Sequence, residues 1–107
     1  MRILGIDPGF GRLGYGIIEV AAHNNHRVLT YGCFETEKTI RREERLHLIS
    51  QKIQKLFDEF KPDQLAIEEL FFNKNVNTAL GVGEARGVVL LVAAERGIPV
   101  SEYKPLQ

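Results

Sequence analysis

Two short apolar runs, Ile3-Leu4-Gly5-Ile6 followed by Asp7-Pro8-Gly9, and Leu65-Ala66-Ile67 followed by Glu68-Glu69, decide how this sequence folds. Continuous apolar runs of this length suggest strands buried on both faces, as the central strands of an α/β sheet are. Asp7-Pro8-Gly9 reads as a turn, with Pro fixing φ and Gly freeing it. If the two strands are parallel neighbours, their carboxyl ends lie about 4.8 Å apart, on the edge where open α/β sheets hold their sites. Two carboxylates that close repel each other, and one takes a proton unless a cation sits between them. Hard oxygen donors with open positions suit Mg²⁺ or Mn²⁺. The plain alternative keeps Asp7 in an ordinary turn and Glu68 solvated at a strand end. Glu68 and Glu69 project to opposite faces, so one of them is surface.

Around these runs the periodicity is legible. Leu13 to Val20 and Arg27 to Phe34 are rich in β-formers, and with Arg2 to Ile6 they read as an antiparallel meander. From Thr39 to Phe60 the period changes, with Leu46, Ile49, Ile53, Leu56, Phe57 and Phe60 on one helical stripe. Pro62 ends that helix by disfavouring helical backbone at Lys61. Gln64 to Ile67 is a strand. A second helix runs from about residue 77 to 96, with Asn75 or Asn77 as its N-cap and Gly97 and Pro99 as its stop. Val100 to Tyr103 is a fifth strand. The order βββαβαβ gives a five-stranded mixed sheet in the α/β class, three antiparallel strands and then βαβ-type units. The second helix is apolar nearly all round and carries Gly81, Gly83 and Gly87, each costing about 1 kcal/mol against Ala. Either it is a tightly packed core helix, or it is shared between the core and a dimer interface.

The chain has 107 residues, with 14 Lys and Arg against 14 Asp and Glu. That length makes one domain, residues 1–107, with a single core. The neutral balance counts against strong non-specific binding to nucleic acid unless part of the protein is missing. A lone cysteine, Cys33, gives no internal disulfide, and no signal peptide or membrane-length apolar run is present, so a cytoplasmic domain is expected. Gly9-Phe10-Gly11-Arg12-Leu13-Gly14 matches a dinucleotide-binding pattern, but β-prone residues follow it where a helix is required. No Ser, Cys or His forms a convincing nucleophile–base pair. Phe71 and Phe72, beside Lys74 and Asn75, stand just past Glu68 in a polar stretch. Aromatics there can stack on unpaired bases or close the core; one of each is expected, with Phe71 exposed.

Taken together and in order, Gly5-Ile6-Asp7-Pro8-Gly9, Gly14-Tyr15-Gly16, Ala66-Ile67-Glu68, Lys74-Asn75, Ala79-Leu80, Gly83-Glu84-Ala85-Arg86-Gly87, Pro99-Val100 and Glu102-Tyr103 resemble the RuvC family of Holliday-junction resolvases. The resemblance implies a ribonuclease H-like fold and a homodimer that makes paired symmetrical nicks in four-way DNA, beside the RuvA–RuvB branch-migration complex. It implies two Mg²⁺ ions in the complete site. Asp7 and Glu68, not Glu69, match the catalytic metal ligands, and Phe71 matches an aromatic that contacts DNA; Phe72, Lys74 and Asn75 fall in the same DNA-contacting stretch. The helix of Gly81, Gly83 and Gly87 matches the family's dimer helix. Leu13 stands where the family usually has Thr. The family continues past the position of Gln107 with basic residues and a helix bearing two more acidic ligands. The expectation is therefore a ribonuclease H-like domain incomplete at its C-terminal end, its later helices missing, binding metal weakly and cutting little by itself. Two rivals remain, a non-catalytic dimerising or junction-binding module and an ATP-binding lobe of the actin/Hsp70 kind.

Overall fold

The computed structural model describes residues 1–9, 11–69 and 76–104, and only the backbone for Val76 and Asn77. Its elements are β1 (Arg2–Pro8), β2 (Arg12–Val20), β3 (His26–Glu35), α1 (Arg42–Phe60), β4 (Gln64–Glu68), α2 (Val76–Glu95) and β5 (Val100–Tyr103). The five strands form one sheet in the order β3-β2-β1-β4-β5. β1, β2 and β3 pair antiparallel, as the short connections require. β4 lies parallel to β1 and β5 parallel to β4, each reached through a helical crossover.

Alternation along the strands sends one side of the sheet into the core. Leu4 and Ile6 of β1, Leu13 and Ile17 of β2, and Leu65 and Ile67 of β4 pack against Ile49, Ile53, Leu56 and Phe57 of α1 and Ala85, Val89, Val92 and Ala93 of α2. Both helices therefore cover the same face. The expectation that β1 and β4 are buried on both faces needs correcting: Gly5 and Ala66 are half-buried and Asp7 is exposed. Gly5 and Ala66 read as apolar in the sequence but contribute little side chain to bury. A second correction concerns Asp7 and Pro8, which continue β1 rather than leave it.

α1 stops where the residue after it, Lys61, turns left-handed at φ 49° and donates its N–H to the Phe57 carbonyl at 2.9 Å. It starts at Arg42, three residues later than Thr39, where the periodicity changes. Where the dinucleotide-binding pattern would need a helix, β2 runs instead.

One glycine is demanded by a neighbour. Gly32 of β3 lies opposite Tyr15 of β2, and a Cβ on it would stand 2.6 Å from the tyrosine oxygen and 2.9 Å from the ring carbon bearing it. The ring is also held by Lys52, whose Nζ lies 4.9 Å from its centroid. Gly32→Ala is expected to cost about 1–3 kcal/mol, because the ring must leave its place. Gly5→Ala meets nothing nearer than 3.8 Å and is expected to stay within about 1 kcal/mol of the wild type. Urea denaturation of the two variants checks the contrast.

Candidate metal centre

The parallel ladder of β1 and β4 sets Ile6 opposite Ile67, and the next rung brings Asp7 level with Glu68. Both residues alternate away from the core, so their side chains share the face the helices leave bare. On one side, Asp7 faces Gly14 of β2. On the other, Glu68 faces Tyr103 of β5. A glycine and a phenol thus flank the carboxylate pair.

The carboxyl groups are close enough to share a hydrogen bond. That bond raises the Glu68 pKa above its ordinary value, with desolvation and the charge of Asp7 acting in the same direction. Loss of water raises the Tyr103 pKa, and the charges of Glu68 and Asp7 add to it, so the phenol stays protonated near neutral pH and remains a donor. Beside the pair an open trough of about 530 Å³ runs over the sheet, lined by Gly5, Gly14, Gly16, Tyr31, Cys33 and Tyr103 among others. Two adjacent carboxylates form a donor set of hard oxygens that fits a hard divalent cation. Among the described residues no cluster of three or more His, Cys, Asp or Glu is poised for a metal.

Glu69 is half-buried, and its N–H donates to the Tyr103 carbonyl at 2.7 Å. Gly81 lines a small cavity with Arg45 and Ile49 of α1. Gly83 is half-buried, and Gly87 is exposed on the same side of α2 as Leu80 and Leu91. Phe71, Phe72, Lys74 and Asn75 lie outside the described residues.

Two neighbours of the site carry no role in the sequence reading. Tyr103 could have been found by continuing the parallel register from Glu68 to β5. Arg86 of α2 could not: its Nε donates to the Glu68 carbonyl at 3.3 Å and its Nη2 pairs with Glu102 at 2.9 Å, across 18 residues that no sequence pattern links.

Fold and site together define a ribonuclease H-like domain with paired carboxylates at the ends of two adjacent parallel strands. Residues 3–107 match the family model of crossover junction endodeoxyribonuclease RuvC. The chain belongs to the RuvC family. It is 53% identical over 105 residues to the RuvC of Thermotoga petrophila, covering 98% of this chain and 63% of that protein. It is 49% identical over 107 residues to the RuvC of Desulforamulus reducens, covering 100% and 65%. The chain thus spans less than two thirds of the length of these curated relatives. Among solved structures, Thermus thermophilus RuvC in complex with a Holliday junction substrate superposes with a TM-score of 0.90 at 34% identity, covering 98% of this chain and 66% of that one. The yeast mitochondrial Holliday junction resolvase Ydc2 shares the fold, with a TM-score of 0.69 at 16% identity, covering 96% and 52%. Among the described residues no helix is long and apolar enough to cross a membrane.

Proposed function

We propose that this chain is the N-terminal part of a crossover junction endodeoxyribonuclease that hydrolyses phosphodiester bonds in four-way DNA during recombination and repair. The observation that carries this reading is the Asp7–Glu68 pair, level on adjacent parallel strands in a chain that matches RuvC along nearly its whole length. Residues 1–107 then form most of one ribonuclease H-like domain. The remaining acidic ligands would come from the part of the relatives that this chain does not span.

Asp7 and Glu68 would hold a divalent cation between them, Mg²⁺ with Mn²⁺ as a substitute, one of two ions in the complete site. Such ions activate a water and stabilise the charge on the leaving oxygen. The protein's own contribution is placement. Adjacent strands fix both carboxylates, and Gly14 leaves the space beside Asp7 without a side chain. Tyr103 offers a donor at the rim of the trough beside the pair. Phe71 would stack on an unpaired base near the cut, with Phe72, Lys74 and Asn75 in the same DNA-contacting stretch. Leu80, Gly87 and Leu91 form an exposed stripe on α2 that suits a homodimer, which two symmetrical cuts require. A cytoplasmic place beside the RuvA–RuvB complex completes the reading.

The test uses the full-length gene product and a labelled four-way junction. Mg²⁺-dependent symmetrical nicks are expected, lost in Glu68→Gln and kept within about twofold in Glu69→Gln, whose side chain projects to the other face. Binding without cutting in Mg²⁺ or Mn²⁺ would replace the nuclease with a junction-binding module. Residues 1–107 alone are expected to bind metal weakly and to nick little.

A further inference from the structure

The backbone around Glu68 is one hydrogen bond short, and the shortage traces to Pro8. The N–H groups of Leu65 on β4 and of Glu69 just past its end donate to the carbonyls of Pro99 and Tyr103, towards β5. The alternate residues Ala66 and Glu68 therefore turn their backbone groups towards β1. The observed bond fixes the pattern: Leu65 is opposite Val100 and donates to the residue before it. By the same geometry a carbonyl accepts from the residue after its opposite number. Glu68 is level with Asp7, so its carbonyl calls for the N–H of residue 8. Proline has none.

Arg86 stands where that donor is missing. Its Nε donates to the Glu68 carbonyl at 3.3 Å, and Glu102 of β5 holds the other end of the guanidinium at 2.9 Å. The side chain is only 16% exposed, so water competes poorly for this bond. We propose that Arg86 is a positioning residue, replacing the ladder bond that Pro8 cannot give and so fixing the peptide that carries the Glu68 carboxylate beside Asp7. The proposal rests on the nuclease reading above and deepens it.

Glu68 is the last residue of β4, where an unpaired carbonyl is free to turn towards solvent and swing the carboxylate with it. Displacements of about 1 Å can cost about 100-fold in rate, and loss of a residue that orients a metal ligand costs about 10–100-fold in affinity or activity. Because Glu102 matches the charge of Arg86, the effect on Glu68 is geometric. That separates Arg86 from a residue that merely adds positive charge.

The experiment is a cycle in the full-length protein of Arg86→Met, Pro8→Ala and the double variant. Cleavage rate is measured against Mg²⁺ concentration, junction affinity in EDTA, and melting temperature without metal. Arg86→Met is expected to lower the rate about 10–100-fold and to need more Mg²⁺, with junction affinity within about twofold of the wild type. Pro8→Ala supplies the missing N–H, so Arg86→Met in that background is expected to lose at least about fivefold less. If Arg86→Met does not fold, Arg86→Lys, which keeps one donor head, takes its place with a smaller expected loss. An unchanged rate, or an equal loss in both backgrounds, overturns the proposal. If the wild type itself makes no cuts, the nuclease reading fails. The melting temperatures then decide the geometry alone: a drop at Arg86→Met that Pro8→Ala relieves supports the substitution for the ladder bond, and equal drops overturn it.

Discussion

Asp7→Asn in the full-length protein is expected to reduce junction cleavage at least about a thousandfold while making the metal-free protein no less stable at neutral pH. A bound metal ion contributes several kcal/mol of charge stabilisation to a transition state of this kind, and each 1.36 kcal/mol is a factor of ten. Asparagine keeps the shape of the aspartate and removes the charge that holds the ion. The stability half of the result follows from the raised pKa of Glu68. Glu68 has its pKa raised by the hydrogen bond to Asp7, then by desolvation and by the charge of Asp7. A carboxyl with a higher pKa folded than unfolded binds more protons folded, so folding loses stability as pH rises from the unfolded value through the folded one. Below that window the pair costs nothing. Above it, both carboxylates are charged and the repulsion is fully felt. The neutral amide of the variant removes the partner charge, so Glu68 should return towards its ordinary value and the slope should flatten. Thermal denaturation in EDTA across this window checks the slope. Repeating it with Mn²⁺ should raise the wild-type midpoint and leave the variant almost where it was. A variant that is inactive and also less stable at neutral pH would place the loss in folding, not in metal binding.

The elements that position this site were largely open to reading from residues alone. Alternation put Asp7 and Glu68 on one face and Glu69 on the other, because the period of a strand is two whatever its neighbours are. Parallel pairing of β1 and β4 stood only as a condition in the sequence; it holds because two antiparallel pairings make β3 run along β1, and the α1 crossover from β3 returns β4 in that same direction. The bare face did not follow. Gly5 and Ala66 satisfy an apolar pattern without supplying side chains, and a pattern cannot tell a strand packed on both sides from one that leaves room. Asp7 and Pro8 looked like a turn because their propensities are local, whereas antiparallel pairing with Leu13 and Gly14 holds them in the strand. Arg86 lay furthest from reach. Its role depends on a hydrogen bond that Pro8 fails to make, and only the register of two strands shows which carbonyl goes unpaired. What a resemblance supplied as a string of matched residues, Asp7-Pro8 near one end and Arg86 near the other, the fold turns into a single arrangement.

Leu91→Glu is expected to leave the protomer folded and to dissolve the proposed homodimer. Leu91 is 57% exposed and Leu80 is 55% exposed, 11 residues and about three turns apart on α2. Gly87 lies between them with nothing within 4 Å of where its Cβ would be. The protomer therefore does not need that glycine for close packing, and the position lies open between the two leucines. A buried leucine contributes about 1.5–3 kcal/mol. Leu91 is already partly covered within its protomer, and in a two-fold interface each residue appears twice, so removing it forfeits about 2–4 kcal/mol, before counting two glutamates brought together in a desolvated seam. At about 1.4 kcal/mol per tenfold, the dimer dissociation constant should rise by about 30-fold to 1,000-fold. Sedimentation velocity across a dilution series measures this, and circular dichroism checks that the helix persists. Cleavage should fall with it, and what remains should depend steeply on protein concentration, because symmetrical cuts need two sites on one junction at once. A wild type that stays monomeric at micromolar concentration would remove the homodimer, and a Leu91→Glu protein that dimerises as before would move the interface off this stripe. A variant that dissociates yet still cuts both strands together would separate pairing of the cuts from pairing of the protomers, and the symmetry of the nicks would then have to come from the junction rather than from α2.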